Sequence, residues 1–481
     1  MDRRGVLVHP TAKGVAGLLG PAVAAGLLAV YQLAALPVAL AAAAGYFALA
    51  LRWPNAALTA VVLALPFYQL LRPLHGSWGF SAAETGVALC ALAAGGRLLL
   101  AGFATGRWKA VGELSRLLSS RPTFFDVGAI AFVFLGVASL AVSVKPWESL
   151  RMLRTVILEP VALYFLVVYL GGGRHGVRRL AGAVVVSAVV ISAVGLYQYA
   201  TNQNIITAEE SLRRIRGFYG SPNHLGLYLG RAAPLALCLW AFGATGRWIY
   251  ALALAPITTA LLLTFSLGAW LGVAAAVVFA VALWSRRGLL VCLSGLGVLA
   301  AMATPLLAGL GRFRSHLDFA EGTTFHRLQV WQSALAMVRD HPVLGIGLDN
   351  FLYYYRDLGY MLPTGWREPN LSHPHNLVLD FWLSLGLAGL VVAAVLMVRL
   401  FGLGLAIYRG EAEPWARGLA LGVMASMVDF AAHGLIDNSY FLVDLAMLFW
   451  LSFAILRVLR ATAATGNPVG ASAVAPEEAR R

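Results

Sequence analysis

Charged residues are scarce in this sequence: Asp, Glu, Lys and Arg make up 12% of its 481 residues, whereas 60% are apolar. Soluble proteins average about 25% charged and about 45–50% apolar residues. The composition therefore excludes a soluble enzyme, and it also excludes a disordered chain, which contains few apolar residues. It favours an all-α polytopic membrane protein, in which every backbone polar group is paired within a helix.

Cysteine is also scarce, and this excludes two further classes. Cys90, Cys238 and Cys292 each lie inside an apolar run and have no partner in a loop. We therefore expect neither a disulfide-rich secreted scaffold nor a cysteine-based metal site. The formal net charge of +14 fits the excess of Lys and Arg in the cytoplasmic loops of membrane proteins, so we expect no nucleic-acid partner.

Long apolar runs predict about 12 to 14 transmembrane helices, since a helix needs roughly 20 apolar residues to cross a bilayer. Lys and Arg lie in alternate connecting segments, which predicts that both termini are cytoplasmic. Two boundaries between runs are not well defined: the boundary between the first two runs and the boundary near 265–268. We expect the spans at about 14–31, 34–51, 55–71, 81–102, 124–144, 150–170, 177–200, 222–243, 248–265, 267–285, 288–310, 376–399, 415–436 and 440–459.

Two polar segments, 201–221 and 311–375, interrupt the predicted bundle on its outer side. Eight of the ten histidines fall on that side or at outer helix ends. Polar residues gathered in this way in a membrane protein indicate function. The predicted organisation is N-terminal helices (1–200), helices with an Arg-rich outer loop (201–310), the long outer loop (311–375), C-terminal helices (376–460) and a disordered cytoplasmic tail (461–481).

The first outer segment carries Arg213, Arg214 and Arg216 within four residues. A guanidinium group donates two parallel hydrogen bonds to phosphate oxygens, so the cluster predicts a phosphate or diphosphate site. Two alternatives stay open: a solvated loop in which the arginines pair with Glu209 and Glu210, or contact with lipid headgroups. Arg216 is the favoured ligand, because it directly precedes a glycine and the start of the next helix.

Both outer segments end in a helix start that contains proline. We expect Ser221 to cap a helix opened by Pro222, and His373 to cap one opened by Pro374. Both helices run inward in the predicted topology. Their N-termini would present free N–H groups at the outer face, and such groups bind anions.

The residues from His373 to Asn376 fit three roles. A His-x-His pair can bind a metal, but Asp-x-Asp is absent from the sequence and outer carboxylates are few, so we expect no metal. The cluster also suits a structural helix cap. We favour a general base at His375, because a residue in the first turn of a helix is kept neutral by the positive end of the helix dipole.

Residues 323–340 have the periodicity of an amphipathic helix and carry several aromatic side chains. Two compatible interpretations fit this segment. It lies on the bilayer surface, where Trp and Tyr are enriched, or it forms a lid whose aromatic faces contact sugars.

Four segments resemble the O-antigen ligase and polymerase superfamily of bacterial envelope glycosyltransferases. Residues 216–223 are similar to its Arg-Gly-aromatic-Pro-Asn motif, and 372–376, with the glycines of 386–390, are similar to its His-x-His-Asn motif and Gly-rich span. Residues 327–351 resemble its outer-loop helix and Pro-x-x-Gly-x-Gly-x-x-Asn-Phe signature, and 433–437 resemble a weaker late motif.

The resemblance implies a fold of the glycosyltransferase C type in a bacterial inner membrane, with the active site on the outer face. It implies a glycan donor linked to undecaprenyl diphosphate, a lipid or glycan acceptor, and a metal-independent, inverting transfer without a cofactor. The implied site residues are His375 and His373 for catalysis, Arg216, Arg213, Arg214, Arg231 and Arg327 for diphosphate binding, and Asn223, Asn376, His326 and Asp437 in support.

One departure from the family pattern bears on the donor site. The family often has Ser-Arg-Gly where this chain has Ser266, Leu267 and Gly268. If the family's arginine binds the diphosphate, another cation, such as Arg216 or Arg231, must replace it here.

The acceptor remains open, and so does a second class of function. A ligase, a polysaccharide polymerase and a protein O-oligosaccharyltransferase differ only in the acceptor. A lipid-linked glycan transporter is the alternative. Arg151 and Arg154 near an outer helix end favour it, although they could equally reach the diphosphate. It also predicts broken helices in repeated halves, but no internal repeat is visible. A structural scaffold would leave the His and Arg clusters unexplained.

Overall fold

The computed structural model describes residues 10–75, 78–104, 123–207, 212–243, 246–309, 314–315, 318–363, 365 and 368–464. It confirms an all-α polytopic membrane protein: within these ranges, eight helices are long and apolar enough to cross a bilayer. Four shorter apolar helices accompany them. Glu209 and Glu210 lie outside the described residues, as does the predicted tail beyond 464.

The helices follow the apolar runs of the sequence closely, and each of the fourteen predicted spans overlaps one of them. A π-helical segment, Leu153–Leu158, joins α6 to α7 within a single span. The helices are α1 (Pro10–Leu33), α2 (Leu36–Arg52), α3 (Pro54–Ala64), α4 (Ala82–Ala104), α5 (Phe124–Ser139), α6 (Pro146–Met152), α7 (Glu159–Leu170), α8 (Gly173–Thr201), α9 (Pro222–Phe242), α10 (Arg247–Leu263), α11 (Leu267–Trp284), α12 (Arg286–Ala308), α13 (Thr323–Asp340), α14 (Leu377–Gly410), α15 (Pro414–Gly434) and α16 (Val443–Ala464).

The strands of the described residues form two small hairpins. Strand β1 (Arg72–His75) pairs antiparallel with β2 (Trp78–Phe80), and β3 (Ile206–Thr207) pairs antiparallel with β4 (Arg213–Arg214). The second hairpin is formed by the Arg-rich outer segment. It therefore fixes the backbone of two of the predicted phosphate ligands.

The uncertain boundary between α10 and α11 is resolved by three non-helical residues. Phe265 has a φ of 46°, in the left-handed region, and Ser266 is the N-cap of α11. The outer segment contacts this corner, since the Ile215 amide donates to the Leu263 carbonyl over 3.2 Å. The departure at Leu267 from the family pattern therefore lies at the start of a helix beside the Arg-rich segment.

Helix α9 packs against α10, α11 and α15 in the centre of the bundle. Its Arg231 is 2% exposed and lies 3.4 Å from the Asp429 carboxylate of α15, which is fully buried. Glycines permit this polar contact, because a Cβ at Gly230 would come within 2.6 Å of an Asp429 oxygen. The pair joins α9 to α15 where small residues let their backbones approach.

Candidate active site

Helix α14 is broken nine residues after its start, and the break accommodates the outer loop. Gly386 has φ 72° and ψ 179°, a conformation that favours glycine. The amides of Ile346 and Gly347 donate to the Leu383 carbonyl over 2.7 and 3.2 Å, and the Leu387 amide donates to the Val343 carbonyl over 3.0 Å. Backbone contacts thus replace the hydrogen bonds that the helix loses.

The glycines of the Pro-x-x-Gly-x-Gly segment have a structural role at this break. Gly345 and Gly347 have φ values of 69° and 87°. A Cβ at Gly345 would overlap the Trp382 and Leu383 carbonyl oxygens. The signature therefore lets one backbone lie directly against another, and it places the outer loop next to the start of α14.

Asn350 fixes the other end of this loop. It is fully buried, and its Oδ1 accepts hydrogen bonds from the Val144 and Lys145 amides, each over 3.1 Å. Its Nδ2 donates to the Ser149 hydroxyl and the Leu348 carbonyl, over 2.8 and 2.7 Å. This asparagine joins the outer loop to the segment that leads into α6.

The second predicted helix start is shifted by three residues. Ser221 caps α9 as predicted: its hydroxyl accepts from the His224 amide over 3.3 Å, and Pro222 opens the helix. The prediction that His373 caps α14 is wrong. Asn376 is the N-cap, with its Oδ1 accepting from the Val378 and Leu379 amides, because Asn is among the best capping residues.

This shift changes the argument for His375. Its φ of 51° lies in the left-handed region, so it precedes the helix and is not in the first turn. A helix dipole is strongest along the axis of the terminal turn. The role of His375 therefore depends on the contacts of its own side chain, and the structure supplies one.

That contact is a buried carboxylate. The Nδ1 of His375 lies 3.1 Å from the Oδ1 of Asp437, in the loop between α15 and α16. The Nε2 of His373 lies 3.7 Å from the same oxygen, and the two imidazole centroids are 4.4 Å apart. Asn376 holds the two loops together, since its Nδ2 donates to the Leu435 carbonyl over 3.0 Å. Residues more than 60 positions apart in sequence thus form one cluster, the His373–His375–Asp437 cluster.

Asp437 is ionised in this cluster. Burial opposes the charge, since the side chain is 3% exposed, but the imidazoles of His373 and His375 outweigh burial and hold the pKa of Asp437 well below its usual range. An ionised carboxylate accepts hydrogen bonds and donates none. His375 therefore donates from Nδ1 to this carboxylate, and in the neutral form of the ring this contact selects the tautomer whose Nε2 accepts a proton.

The depressed pKa of Asp437 predicts how stability responds to pH. A carboxylate whose native pKa lies below its unfolded value of about 3.9 contributes stability above that pH and loses it as the pH falls towards the native pKa. We expect the gap in unfolding temperature between wild type and Asp437→Asn not to narrow from about pH 8 to pH 5, and to narrow below about pH 4. Unfolding is followed by light scattering, and a gap that does not narrow below about pH 4 would mean that burial, and not the imidazoles, dominates the pKa of Asp437.

The same three side chains could also hold a metal ion. Their potential ligand atoms lie within 4.8 Å of one another. Two imidazoles and a carboxylate form a common catalytic zinc set. A metal ion bound there would break the hydrogen bond between the Nδ1 of His375 and the Oδ1 of Asp437. The cluster is therefore either a hydrogen-bonded pair or a metal site, and the effect of a chelator on activity distinguishes the two.

Two further histidines, which the predicted site did not include, adjoin the cluster. His224, in the first turn of α9, and His433, at the end of α15, are both buried or nearly so and both interact electrostatically with Asp437. Among the described residues, neither Nδ1 has a hydrogen-bond partner. The signal that could have identified them was their place at outer helix ends.

The Arg-rich segment uses its side chains mainly for local contacts. Arg214 is 7% exposed and donates to the Thr264 carbonyl over 2.7 Å and to the Asn223 side chain over 3.0 Å. Arg216 donates to the carbonyl and the side chain of Asn204. Arg213 lies over the Tyr199 ring at 4.3 Å. These contacts order the segment beside α9.

The two remaining predicted arginines differ sharply. Arg231 is buried against Asp429 and donates to the Ser439 carbonyl and hydroxyl, so it is a structural cation within the bundle. Arg327 is partly buried on α13 and acts electrostatically on His433. One turn later on the same helix, the Trp331 indole donates to the His375 carbonyl over 3.4 Å. Arg327 therefore faces the histidine cluster.

His326, the neighbour of Arg327, makes a different contact. Its Nε2 lies 3.5 Å from a carboxylate oxygen of Glu368 in the outer loop. This contact joins α13 to the segment that leads into the cluster. His326 is thus placed to support the loop rather than to meet the His373–His375–Asp437 cluster.

Two connected cavities open at the cluster. The smaller, about 140 Å³, is lined by His224, His373, Asp349 and Asp380 among others. The larger, about 660 Å³, extends from it towards α4 and α6. Five residues line both cavities, which makes them continuous: Met152, Asp349, Ser372, Phe441 and Leu442.

Residues 251–394 match the family model described as O-antigen ligase. The match contains His373, His375, Arg327 and the glycines of the α14 break, and it excludes Asp437 and the Arg-rich segment. It confirms the resemblance to the O-antigen ligase and polymerase superfamily. No curated protein sequence matches the chain.

Proposed function

From the premise that this polytopic membrane protein carries an O-antigen ligase domain at residues 251–394, we propose that it is a membrane glycosyltransferase. It transfers a glycan from undecaprenyl diphosphate to a hydroxyl group of a lipid or glycan acceptor. The reaction takes place at the outer face of a bacterial inner membrane. The outer placement is supported by the Lys and Arg residues of the opposite loops, which indicate the cytoplasmic side.

The pair formed by His375 and Asp437 is the observation that carries this proposal. A buried, ionised carboxylate orients the imidazole and stabilises the imidazolium that forms when a proton is taken up. The arrangement suits removal of a proton from a hydroxyl group, which is the chemical step that an acceptor requires.

The proposed step proceeds at the anomeric carbon of the donor. The acceptor oxygen attacks this carbon as the bond to the diphosphate oxygen breaks, and undecaprenyl diphosphate leaves with the electron pair. The acceptor proton moves to Nε2 of His375. Attack from the side opposite the leaving group inverts the configuration. Because a diphosphate is a good leaving group, the protein mainly positions the reactants and stabilises charge.

Arg327 is the favoured diphosphate ligand. It faces the cluster from α13, and the described part of the chain provides no hydrogen-bond or ion-pair partner for its guanidinium. A guanidinium that is available and partly desolvated binds a diphosphate strongly. Arg216 is the second choice, because Asn204 already accepts its hydrogen bonds.

Incubation of the purified protein with a glycan linked to undecaprenyl diphosphate and an acceptor glycolipid tests the proposal. We expect release of undecaprenyl diphosphate, at the same rate with and without excess EDTA, because His375 rather than a metal-bound water takes the proton. No release with any acceptor would contradict the transferase function. Release that EDTA abolishes and zinc restores would instead make the His373–His375–Asp437 cluster a metal site.

A further inference from the structure

The larger cavity beside the histidines is the most informative feature that the proposed step does not use. Its volume is about 660 Å³, within the range typical of sites for small organic ligands. It extends from the wall that contains Ser372 and Asp349 to the β1–β2 hairpin and the start of α4. An occupant would therefore reach His224 and His373 through the smaller cavity at one end and the predicted outer face at the other.

Both arginines of this cavity are already neutralised. Arg151 lies 3.0 Å from Asp349 and 3.1 Å from Glu148. Arg154 lies 2.6 Å from Glu159 and 3.1 Å from Glu84. Each guanidinium thus has two carboxylate partners.

The larger cavity is therefore a poor site for a diphosphate. Its carboxylates outnumber its arginines, so like-charge repulsion would oppose an anionic ligand, whereas neutral hydroxyl groups would meet both donors and acceptors. Among the described residues, the available cation near the histidines is Arg327, which lies on α13 and does not line this cavity. The charges thus favour the donor diphosphate beside Arg327 and a neutral ligand in the larger cavity.

The rim of the cavity suits a carbohydrate. Trp147 lines it with 72% of its surface exposed, and Tyr68 and Gln69 lie on the same wall. Aromatic faces stack on the apolar faces of sugar rings, and carboxylates and amides accept hydrogen bonds from sugar hydroxyls. The π-helical segment Leu153–Leu158 provides Arg154 and Thr155 to this wall, and such segments are frequent at functional sites.

We propose that this larger cavity binds the acceptor, and that it selects an acceptor whose sugars carry no phosphate or carboxylate next to the reactive hydroxyl. This inference rests on the proposed function, since it assigns the second substrate of the same reaction. Most of the wall comes from residues before 251, outside the matched domain. Acceptor choice would then be set by the part of the chain that the family model does not describe.

Kinetics with two acceptor glycolipids that differ by one phosphate monoester test this proposal. We expect the wild type to use the neutral glycolipid with the lower KM. Trp147→Ala should raise the KM for the neutral acceptor about ten-fold and leave the KM for the donor unchanged, because only sugar stacking is lost. Trp147→Phe should restore most of the affinity. Trp248→Ala is the matched control, since Trp248 is 61% exposed and begins α10 on the predicted cytoplasmic side.

A charge reversal tests the selectivity separately. Glu148→Lys should lower the KM for the phosphorylated acceptor about ten-fold, because it removes one carboxylate partner of Arg151 and adds a cation. Equal use of both acceptors by the wild type, or an effect of Trp147→Ala on the donor KM alone, would overturn the acceptor assignment while transfer itself stands. Absence of transfer to either glycolipid would count against the proposed function, and the acceptor site would fall with it.

Discussion

Replacement of His375 by alanine should abolish glycan transfer while the protein still binds undecaprenyl diphosphate. The base acts on the acceptor hydroxyl and not on the leaving group, so donor affinity does not depend on it. Loss of a general base typically lowers turnover about 10²–10⁴-fold. The measurement is the rate of undecaprenyl diphosphate release, with the affinity for undecaprenyl diphosphate determined in parallel.

Two comparisons make this expectation specific. His373→Ala should reduce turnover less, because its Nε2 is 3.7 Å from Asp437 whereas the Nδ1 of His375 is 3.1 Å away. His175→Ala, at an exposed position near the start of α8, should leave turnover unchanged. Wild-type turnover by His375→Ala would remove the residue from the mechanism, and equal losses for both cluster histidines would mean that they act together.

The helices were predictable from the sequence because each apolar run has one physical explanation. A run of about 20 apolar residues has to satisfy its backbone polar groups internally, and a helix does so. The positions of α5, α8 and α9 follow from composition alone. The break in α14 did not, because Gly386 lies in an uninterrupted apolar run, and only the carbonyl of Val343, brought from the outer loop, explains its conformation.

The site was only partly predictable, for reasons of distance along the chain. His373 and His375 were evident from local pattern, but the cap at Asn376 depends on the left-handed conformation of His375, which no spacing rule indicates. Asp437 was named as a supporting residue from resemblance. Its direct contact with His375 requires the loop between α15 and α16 to meet the start of α14, and this contact is a tertiary property.

The arginines show the same limit more strongly. Arg213, Arg214 and Arg216 formed the most conspicuous cationic cluster, yet local partners take up their side chains. Arg231 attracts notice in the sequence because it is a cation within an apolar run, but Asp429 and Ser439 contact it inside the bundle. Sequence gives the charge of an arginine and not its neighbours, and the neighbours decide whether the charge is available to a ligand.

Substitution of Arg327 by lysine should therefore lower both turnover and affinity for undecaprenyl diphosphate. Lysine keeps the charge but loses the planar fork that binds two phosphate oxygens. We expect Arg327→Ala to lower turnover by about 10²–10³-fold, the usual effect of removing one preorganised donor, and Arg327→Lys to lower it less. Affinity for undecaprenyl diphosphate should fall in parallel, unlike the expectation for His375→Ala.

Arg339→Lys is the matched control, because Arg339 is an exposed residue near the end of the same helix, α13. It should leave both quantities unchanged. Arg216→Lys tests the competing assignment: a larger loss of donor affinity there than at Arg327 would place the diphosphate beside the Arg-rich segment. Arg231→Lys should instead lower the unfolding temperature, since Arg231 pairs with the buried carboxylate of Asp429. Unchanged donor affinity in Arg327→Ala would contradict a diphosphate site on α13, whatever the fate of the histidine cluster.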